Sequence, residues 1–530
     1  MMRCAIVSKL IFLTMAGAGI HGGIAFARSV APTPSGAAES EITLIAARLA
    51  TGRTNCASII AGRLDRIGRL DGPLHAVVAL DRSALAEAGR IDAMTRTARR
   101  ALPLACVPVL VKDNIDVAGL PTTSGSVALA RNVAGRDADV VAKLKRAGAI
   151  VVAKTNMSEF AFNYRGRSSL RGQTTSPFAF AESAGGSSSG NAAALAAGFG
   201  VIALGTDTSG SARVPAALTG VVGLRPGFGV LPIGGVLPLS PTQDVIGPMC
   251  RYLADCAKMW SVLTDTQEDA QYHPLQGLHV GVLVAFMRRG GGAEAQALDS
   301  LRAAGAIVTE MHLRDETVLA GKDAPDGETA TFASRSSFDF PAAMDAYLPS
   351  RADVPHDASA LLAELRELRD AGRTDPRVVE DVAKFGANWV GAAGDPRYRV
   401  NGSFRDRYVA DRFDEAFDCS GGNDCVDVIV YPSVQAPSAA VHTGPETLGT
   451  HRFAAYSGRP AIALPVGSAM TAEGLRPVSL ELLGQSGQEW RLLEIAAAWQ
   501  ASLSLPRTVP CESAKALVCL IAPAPSATRR

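Results

Sequence analysis

Three side chains of this 530-residue chain have types and spacings suited to nucleophilic chemistry. Lys112 ends the apolar run Val107-Pro-Val-Leu-Val111. Ser187 lies in the turn Gly185-Gly186-Ser187-Ser188-Ser189-Gly190, and Ser211 in Gly205-Thr-Asp-Thr-Ser-Gly-Ser211. A serine hydroxyl is a poor nucleophile until a base takes its proton. Histidine is the usual base, but a lysine serves where burial disfavours its ammonium form and lowers its pKa. The chain holds nine lysines against forty-three arginines, so a lysine beside an apolar strand is an uncommon choice. Two readings of Lys112 stand at this point: such a base, or an ordinary strand-end lysine paired with Asp113 or Asp116.

The serine turns also carry two readings. A short Gly/Ser stretch is commonly a flexible linker. Here the first turn runs straight into Asn191-Ala-Ala-Ala-Leu-Ala-Ala197, a good helix former, and the second follows a strand at Gly200–Leu204. A glycine turn feeding a helix N-terminus presents amides and side chains at a functional edge. Consecutive backbone N–H groups in the second turn could form an oxyanion hole. Each such donor is worth roughly 3–4 kcal/mol in a transition state.

The elements that must position these groups follow an α/β pattern. Residues 40–100 show helical periodicity with few strands. From Cys106 onward, short β-branched runs alternate with helices: strands at Val107–Val111 and Ala149–Ala153 enclose a helix at Ala138–Ala147. A second unit follows at Leu278–Phe286, Ala293–Ala304 and Ala306–Met311. Residues 313–420 are richer in Asp and Arg and read as helices and loops packed onto the sheet. Strands resume at Val426–Tyr431, Ala461–Val466 and Val478–Leu483, and a helix at Trp490–Leu503 closes the pattern. This alternation predicts a sheet with helices on both faces.

Charge is balanced, with 52 Lys+Arg against 51 Asp+Glu, a net charge of +1. That gives no electrostatic reason for a nucleic-acid or anionic-membrane partner. At the N-terminus, Arg3 and Lys9 precede the apolar run Ile11–Ile20, and Ala25-Phe26-Ala27 supplies a small-x-small cleavage site. This is the layout of a secretory signal over residues 1–27, predicting a periplasmic or secreted protein with no membrane span after cleavage. Cys419 with Cys425, and Cys511 with Cys519, read as disulfides in such a compartment. Cys56, Cys106, Cys250 and Cys256 read as buried small hydrophobes. No C-x-x-C or H-E-x-x-H spacing points to zinc, and no cofactor motif stands out.

The residues carry a resemblance to the amidase signature family of Ser–cis-Ser–Lys amide hydrolases. It runs through the lysine segment at 107–126, AIVVAKTNMSEFA at 149–161 and the serine block at 185–216. It continues through VGLRPGFGVLPIGGVLPLSPTQDVIGPM at 222–249 and YSGRPAIALPVG at 456–467. The resemblance implies one large α/β domain over 28–530 with a mixed central sheet, and a catalytic signature region at about 106–265. It implies Lys112 as general base, Ser187 as relay through a cis Gly186–Ser187 bond, and Ser211, 24 residues later, as nucleophile. The backbone amides of Thr208, Ser209, Gly210 and Ser211 would hold the oxyanion, Asp207 and Arg213 would support the nucleophile loop, and no cofactor or metal is implied. The family pattern Asp-Thr-Gly-Gly-Ser reads Asp207-Thr-Ser209-Gly-Ser211 here. A serine at 209 would be strained if that position needs φ > 0. Ser189 and Asn191 stand where glycine and a small residue are common.

Three rival readings remain. Gly186-Ser187-Ser188-Ser189-Gly190 also fits the G-x-S-x-G nucleophile elbow, with Ser188 attacking, Asp424 or Asp427 as acid and His442 or His451 as base. A binding protein that kept the scaffold without turnover is a second reading. Membership of a glutamine-dependent tRNA amidotransferase complex is a third, and it conflicts with export. The substrate is expected to be a peptide, aryl or alkyl amide, with specificity set by residues 313–420 and the loops near 160–180 and 435–455. The protein is expected to be a monomer or homodimer.

Overall fold

A computed structural model describes residues 40–266, 275–288, 292–320, 335–389, 398–399, 401–420, 425–445, 447–505, 507–510 and 515–521. The expected signal segment 1–27 and Asp424 lie outside these residues. Strong local signals start several elements. Helix α1 (Glu41–Ala50) is capped by Ser40, whose hydroxyl accepts the Thr43 N–H, and α2 (Cys56–Leu70) by Asn55 accepting from Ser58. Such caps satisfy donors that the first turn leaves open.

Eleven strands form one mixed sheet. In chain order they are β1 (Val77–Leu80), β2 (Pro108–Lys112), β3 (Ile150–Thr155), β4 (Ile202–Asp207), β5 (Val222–Arg225) and β6 (Val245–Cys250). They continue as β7 (His279–Leu283), β8 (Ile307–Met311), β9 (Val428–Tyr431), β10 (Ala461–Thr471) and β11 (Gly474–Leu483). Their spatial order is β1-β3-β2-β4-β6-β5-β10-β11-β9-β7-β8. Pairs β3–β2, β2–β4, β9–β7 and β7–β8 are parallel, and the remaining pairs are antiparallel. The expected strands are therefore all present, with a crossover helix α3 (Asp139–Arg146) between β2 and β3. Strands β2 to β4 are buried along their whole length, which explains their continuous apolar character.

Two helices matter most for the site. Helix α4 (Ser189–Ala196) follows the first serine turn and packs on β2, β3 and β4. Helix α5 (Arg213–Thr219) follows the second and packs on α4, β5, β10 and β11. Every residue of both is buried, and the small side chains of α4 permit its close approach to the sheet. Helices α6 (Leu253–Thr264), α7 (Gly292–Ala303) and α13 (Glu489–Ser502) cover other parts of the sheet.

The segment expected to be helices and loops does form helices: α8 (Ser336–Tyr347), α9 (Ala358–Asp370), α10 (Pro376–Trp389) and α11 (Asp406–Phe417). Leu361, Leu365, Val379 and Phe340 from this set share an apolar cluster with Leu129, Met157 and Phe160 beside the β3 end. A short helix α12 (Arg452–Ser457) completes the elements used below.

The cysteine reading needs correction. Cys56 and Cys106 are disulfide-bonded, as are Cys250 and Cys256, so none of the four is a free buried thiol. Their Cα atoms stand 5.0 and 5.5 Å apart, within bridging range. The first pair spans 50 residues and joins the start of α2 to the entry of β2. Cys419 and Cys425 are bonded as expected. Cys511 lies outside the described residues.

Candidate active site

Strand β2 runs parallel to β4 with Val111 opposite Leu204, which brings the end of β2 beside Thr206. Lys112 is fully buried there. Its Nζ lies 2.8 Å from Ser187 Oγ and 2.6 Å from Thr206 Oγ1. The two carboxylates nearby in sequence are engaged elsewhere: Asp113 stands 3.6 Å from Lys154, and Asp116 binds Arg351. Burial pushes the Lys112 pKa down to about 7, against the opposing pull of Asp244 and Asp207. The strand-end ion pair is thus excluded, and the lysine is able to shed its proton near neutral pH.

The Gly186–Ser187 peptide bond is cis, as the resemblance implied. Gly186 is forced by space, since a Cβ there would fall 2.4 Å from Ser158 Oγ. The two serine turns are joined directly, with the Ser188 N–H donating to the Ser211 carbonyl at 3.0 Å. The Ser187 carbonyl accepts from the Ser158 N–H at 3.1 Å. The unusual residues of the first turn have partners too. Asn191 accepts from the Thr155 hydroxyl, and Ser189 Oγ donates to Thr174 Oγ1 at 3.3 Å.

A buried charge cluster holds the second turn. Arg213 Nε meets Asp207 Oδ2 at 3.0 Å, Arg225 meets Asp207 Oδ1 at 3.0 Å, and Arg213 also binds Glu481. Arg213 donates to the His451 carbonyl at 2.8 Å, tying this cluster to the loop before α12. Burial alone would raise the Asp207 pKa, but Arg213 and Arg225 overcome it and hold the carboxyl well below the usual range. Asp207 in turn accepts the Gly210 N–H at 2.6 Å and the Ala212 N–H at 3.2 Å. Asp207 and Arg213 thus tie the turn together through buried contacts.

One oxyanion expectation changes. The Gly210 N–H points to the Asp207 carboxylate, because that buried anion sits inside the turn. The amides of Thr208, Ser209 and Ser211 have no such acceptor among the described residues. Ser209 raises no backbone problem: the positive φ, +118°, belongs to Gly210, and Ser209 is not among the residues with φ > 0. A Cβ on Gly210 would also fall 2.8 Å from His451 Cβ.

Several site residues escape a reading of the sequence. Thr206 braces Lys112. Tyr164 OH donates to the Ser209 carbonyl at 2.7 Å. Thr208 Oγ1 donates to Asp244 at 2.5 Å, and Asp244 also accepts the Leu239 and Ser240 N–H groups. Burial raises the Asp244 pKa to about 6. Asp244 and Arg225 sit inside the 222–249 motif, so the motif is visible in the chain while their roles are not.

A cavity of about 280 Å³ opens over Ser211. Its walls include Phe162 and Tyr164, Ser336 and Ser337 of α8, and His451 with Arg452. These come from three segments: the 160–180 loop, the 313–420 insertion and the 435–455 loop. The elbow arrangement is not formed among the described residues. Ser188 Oγ donates to the Thr206 carbonyl at 3.3 Å, His442 is not buried, and Asp427 accepts the His279 N–H. His451 reaches the cavity, but no hydrogen bond among the described residues joins it to Ser188. The one close set of metal-type ligands among the described residues is Cys56, Asp92 and Cys106. Its cysteines are disulfide-bonded, and Asp92 accepts the Cys56 and Ala57 N–H groups.

Residues 58–493 match the Amidase family profile. The chain belongs to the amidase signature family. It is 31% identical over 456 residues to a glutamyl-tRNA(Gln) amidotransferase component of Deinococcus deserti, covering 80% of this chain and 89% of that protein. Among solved structures it resembles the peptide amidase from Stenotrophomonas maltophilia, with a TM-score of 0.78 and 30% identity. That match covers 88% of this chain and 98% of the other. An amidase family protein from Bacillus anthracis gives a TM-score of 0.73 at 25% identity, covering 88% and 91% of the two chains. As a member of the amidase signature family, the chain is a hydrolase of amide C–N bonds on a single large α/β domain. No helix among the described residues is long and apolar enough to cross a membrane.

Proposed function

We propose that this protein is an exported amidase that cleaves a small or peptide amide through an acyl-enzyme on Ser211. The observation that carries this reading is the buried Lys112 amine at hydrogen-bond distance from Ser187, with its pKa lowered to about 7 by burial. Neutral Lys112 accepts a proton from Ser187, which takes one from Ser211 as Ser211 Oγ attacks the amide carbon. The oxyanion is held by the free amides of the 208–211 turn. As the tetrahedral species collapses, the relay returns the proton to the leaving nitrogen, and ammonia or an amine departs. Water then attacks the ester, Ser211 recovers its proton, and the acid is released.

Export is supported by the basic-then-apolar N-terminal pattern and by three disulfides among the described residues, a bonding state favoured in oxidising compartments. It argues against work on tRNA, although the tRNA amidotransferase proteins are relatives. The cavity size and its mixed aromatic and hydroxyl walls suit a compact amide, including a peptide ending in an amide. The protein is proposed to act alone or as a homodimer, without cofactor or metal.

The test is release of ammonia or amine from peptide, aryl and alkyl amides by the purified protein, with Ser211→Ala and Lys112→Ala as controls. Loss of about a thousandfold or more in kcat is expected in each variant. Full activity in either would remove the assignment.

A further inference from the structure

We infer that Arg452 is a substrate-binding residue and that the amide cleaved here carries a carboxylate. This rests on the amidase reading above and gives the cavity over Ser211 a charge preference which that reading leaves open. Arg452 lines the cavity, and among the described residues no Asp or Glu does. The arginines behind its walls are paired: Arg213 and Arg225 with Asp207, Arg335 and Arg405 with Asp406. Arg452 differs. Its Nη1 donates to the Ala320 carbonyl at 3.2 Å, and no carboxylate among the described residues lies within ion-pair distance.

A guanidinium is all donor, in a rigid planar fork. Nε and Nη2 of Arg452 make no hydrogen bond among the described residues, yet neither is sealed from solvent, and the side chain is half-buried. Held at one edge by Ala320, the fork keeps its remaining N–H groups open beside the cavity. Its charge acts on the Tyr164 hydroxyl and the His451 ring, two groups of the same wall. That wall adds neutral donors without partners among the described residues: Asn163 Nδ2 and the hydroxyls of Ser337 and Thr447. The Arg452 N–H donates to the Gly449 carbonyl at 3.0 Å, and the adjoining His451 carbonyl is held by Arg213, so the base of the side chain is fixed relative to the serine turn. An open fork with no acid opposite it and donors around it takes a planar carboxylate. Partial burial strengthens such a contact, because water screens it less.

The carboxylate lies in the acyl part or in the departing amine, and two pairs of substrates separate these cases. Glutaramate, charged in the acyl part, is compared with 5-methylhexanamide. N-butanoylglycine, charged in the amine, is compared with N-isobutylbutanamide. In each pair a neutral branched alkyl group of the same outline replaces the carboxylate. The wild type should favour the carboxylate member of at least one pair by kcat/KM. In Arg452→Gln that preference should fall roughly tenfold, mainly through KM. Arg452→Lys restores the charge without the fork, so its preference should fall only about threefold. This smaller drop decides the matter if Arg452→Gln does not fold. A ratio measured on one sample is independent of how much of it is folded, and a fluorophosphonate reports separately that the nucleophile is assembled.

A wild type that favours the neutral member of both pairs would overturn the inference. So would labelling without cleavage of either carboxylate substrate, or a carboxylate preference that both variants leave unchanged. If the wild type takes up no label and cleaves none of the four amides, the amidase reading fails first and takes this inference with it.

Discussion

Lys112 Nζ touches Ser187 Oγ at 2.8 Å in a place where neither residue is exposed. Burial there penalises the ammonium, and two carboxylates, those of Asp244 and Asp207, only partly restore it. The balance leaves a lysine that changes charge near pH 7. Since the neutral amine is the form that accepts a proton, kcat/KM should rise with pH through a group of pKa about 7 and level off above it. A pH–rate profile of the purified protein checks this. Activity that is flat across about two pH units on either side of that value would show that Lys112 does not limit the reaction.

The same residue should write itself into stability. In the unfolded chain a lysine titrates at its ordinary value of 10.5, whereas the folded pKa is about 7. Between these values the unfolded state binds a proton that the folded state does not, so stability rises as pH rises across that window. The slope for one proton is about 1.4 kcal/mol per pH unit. Lys112→Met should lose this rise, making denaturant midpoints flatter than in the wild type across the window between the two pKa values. Parallel curves for the two proteins would contradict the buried, deprotonated lysine.

Ser209 and Gly210 should respond oppositely to substitution. Ser209 is not held at positive φ, so Ser209→Gly relieves no strain and should change kcat less than about threefold. Gly210 has φ +118° and no room for a Cβ beside His451. Gly210→Ala should shift the turn and reduce kcat by about a hundredfold or more, as small misplacements of reacting groups do. Steady-state kinetics of both variants decide the point.

Arg213 bridges Asp207, Glu481 and the His451 carbonyl in a fully buried setting. Removing one member of such a set leaves uncompensated charge and costs about 3–5 kcal/mol. Arg213→Met should lower the free energy of unfolding by that amount in urea titration, and should also lower activity. A change below about 1 kcal/mol, the range of an exposed ion pair, would mean that the cluster does not hold the turn.

Much of this arrangement is legible in the chain. The alternation of β-branched runs and helices marks the sheet, and Lys112 at the end of an apolar strand is visible as a candidate base. Local pattern is unable to decide whether Lys112 pairs with Asp113 or Asp116, because the answer depends on Lys154 and Arg351, which come from other elements. Cys56 and Cys106 read as isolated hydrophobes for the same reason: α2 must pack beside β2 before the two thiols meet. The Gly210 amide reads as an oxyanion donor because the side-chain direction of Asp207, three residues earlier, is not written in a motif. Tyr164 and His451 lie far from the serine turns in sequence and join them only in the folded chain.

In the proposed mechanism Ser211 forms the covalent bond and Ser187 only passes the proton. Rapid quenching of turnover with an activated aryl ester or amide, followed by peptide mapping, tests it most directly. The acyl group should appear on Ser211, and it should vanish in Ser211→Ala. Acyl found on Ser187 or Ser188 would instead make that serine the nucleophile.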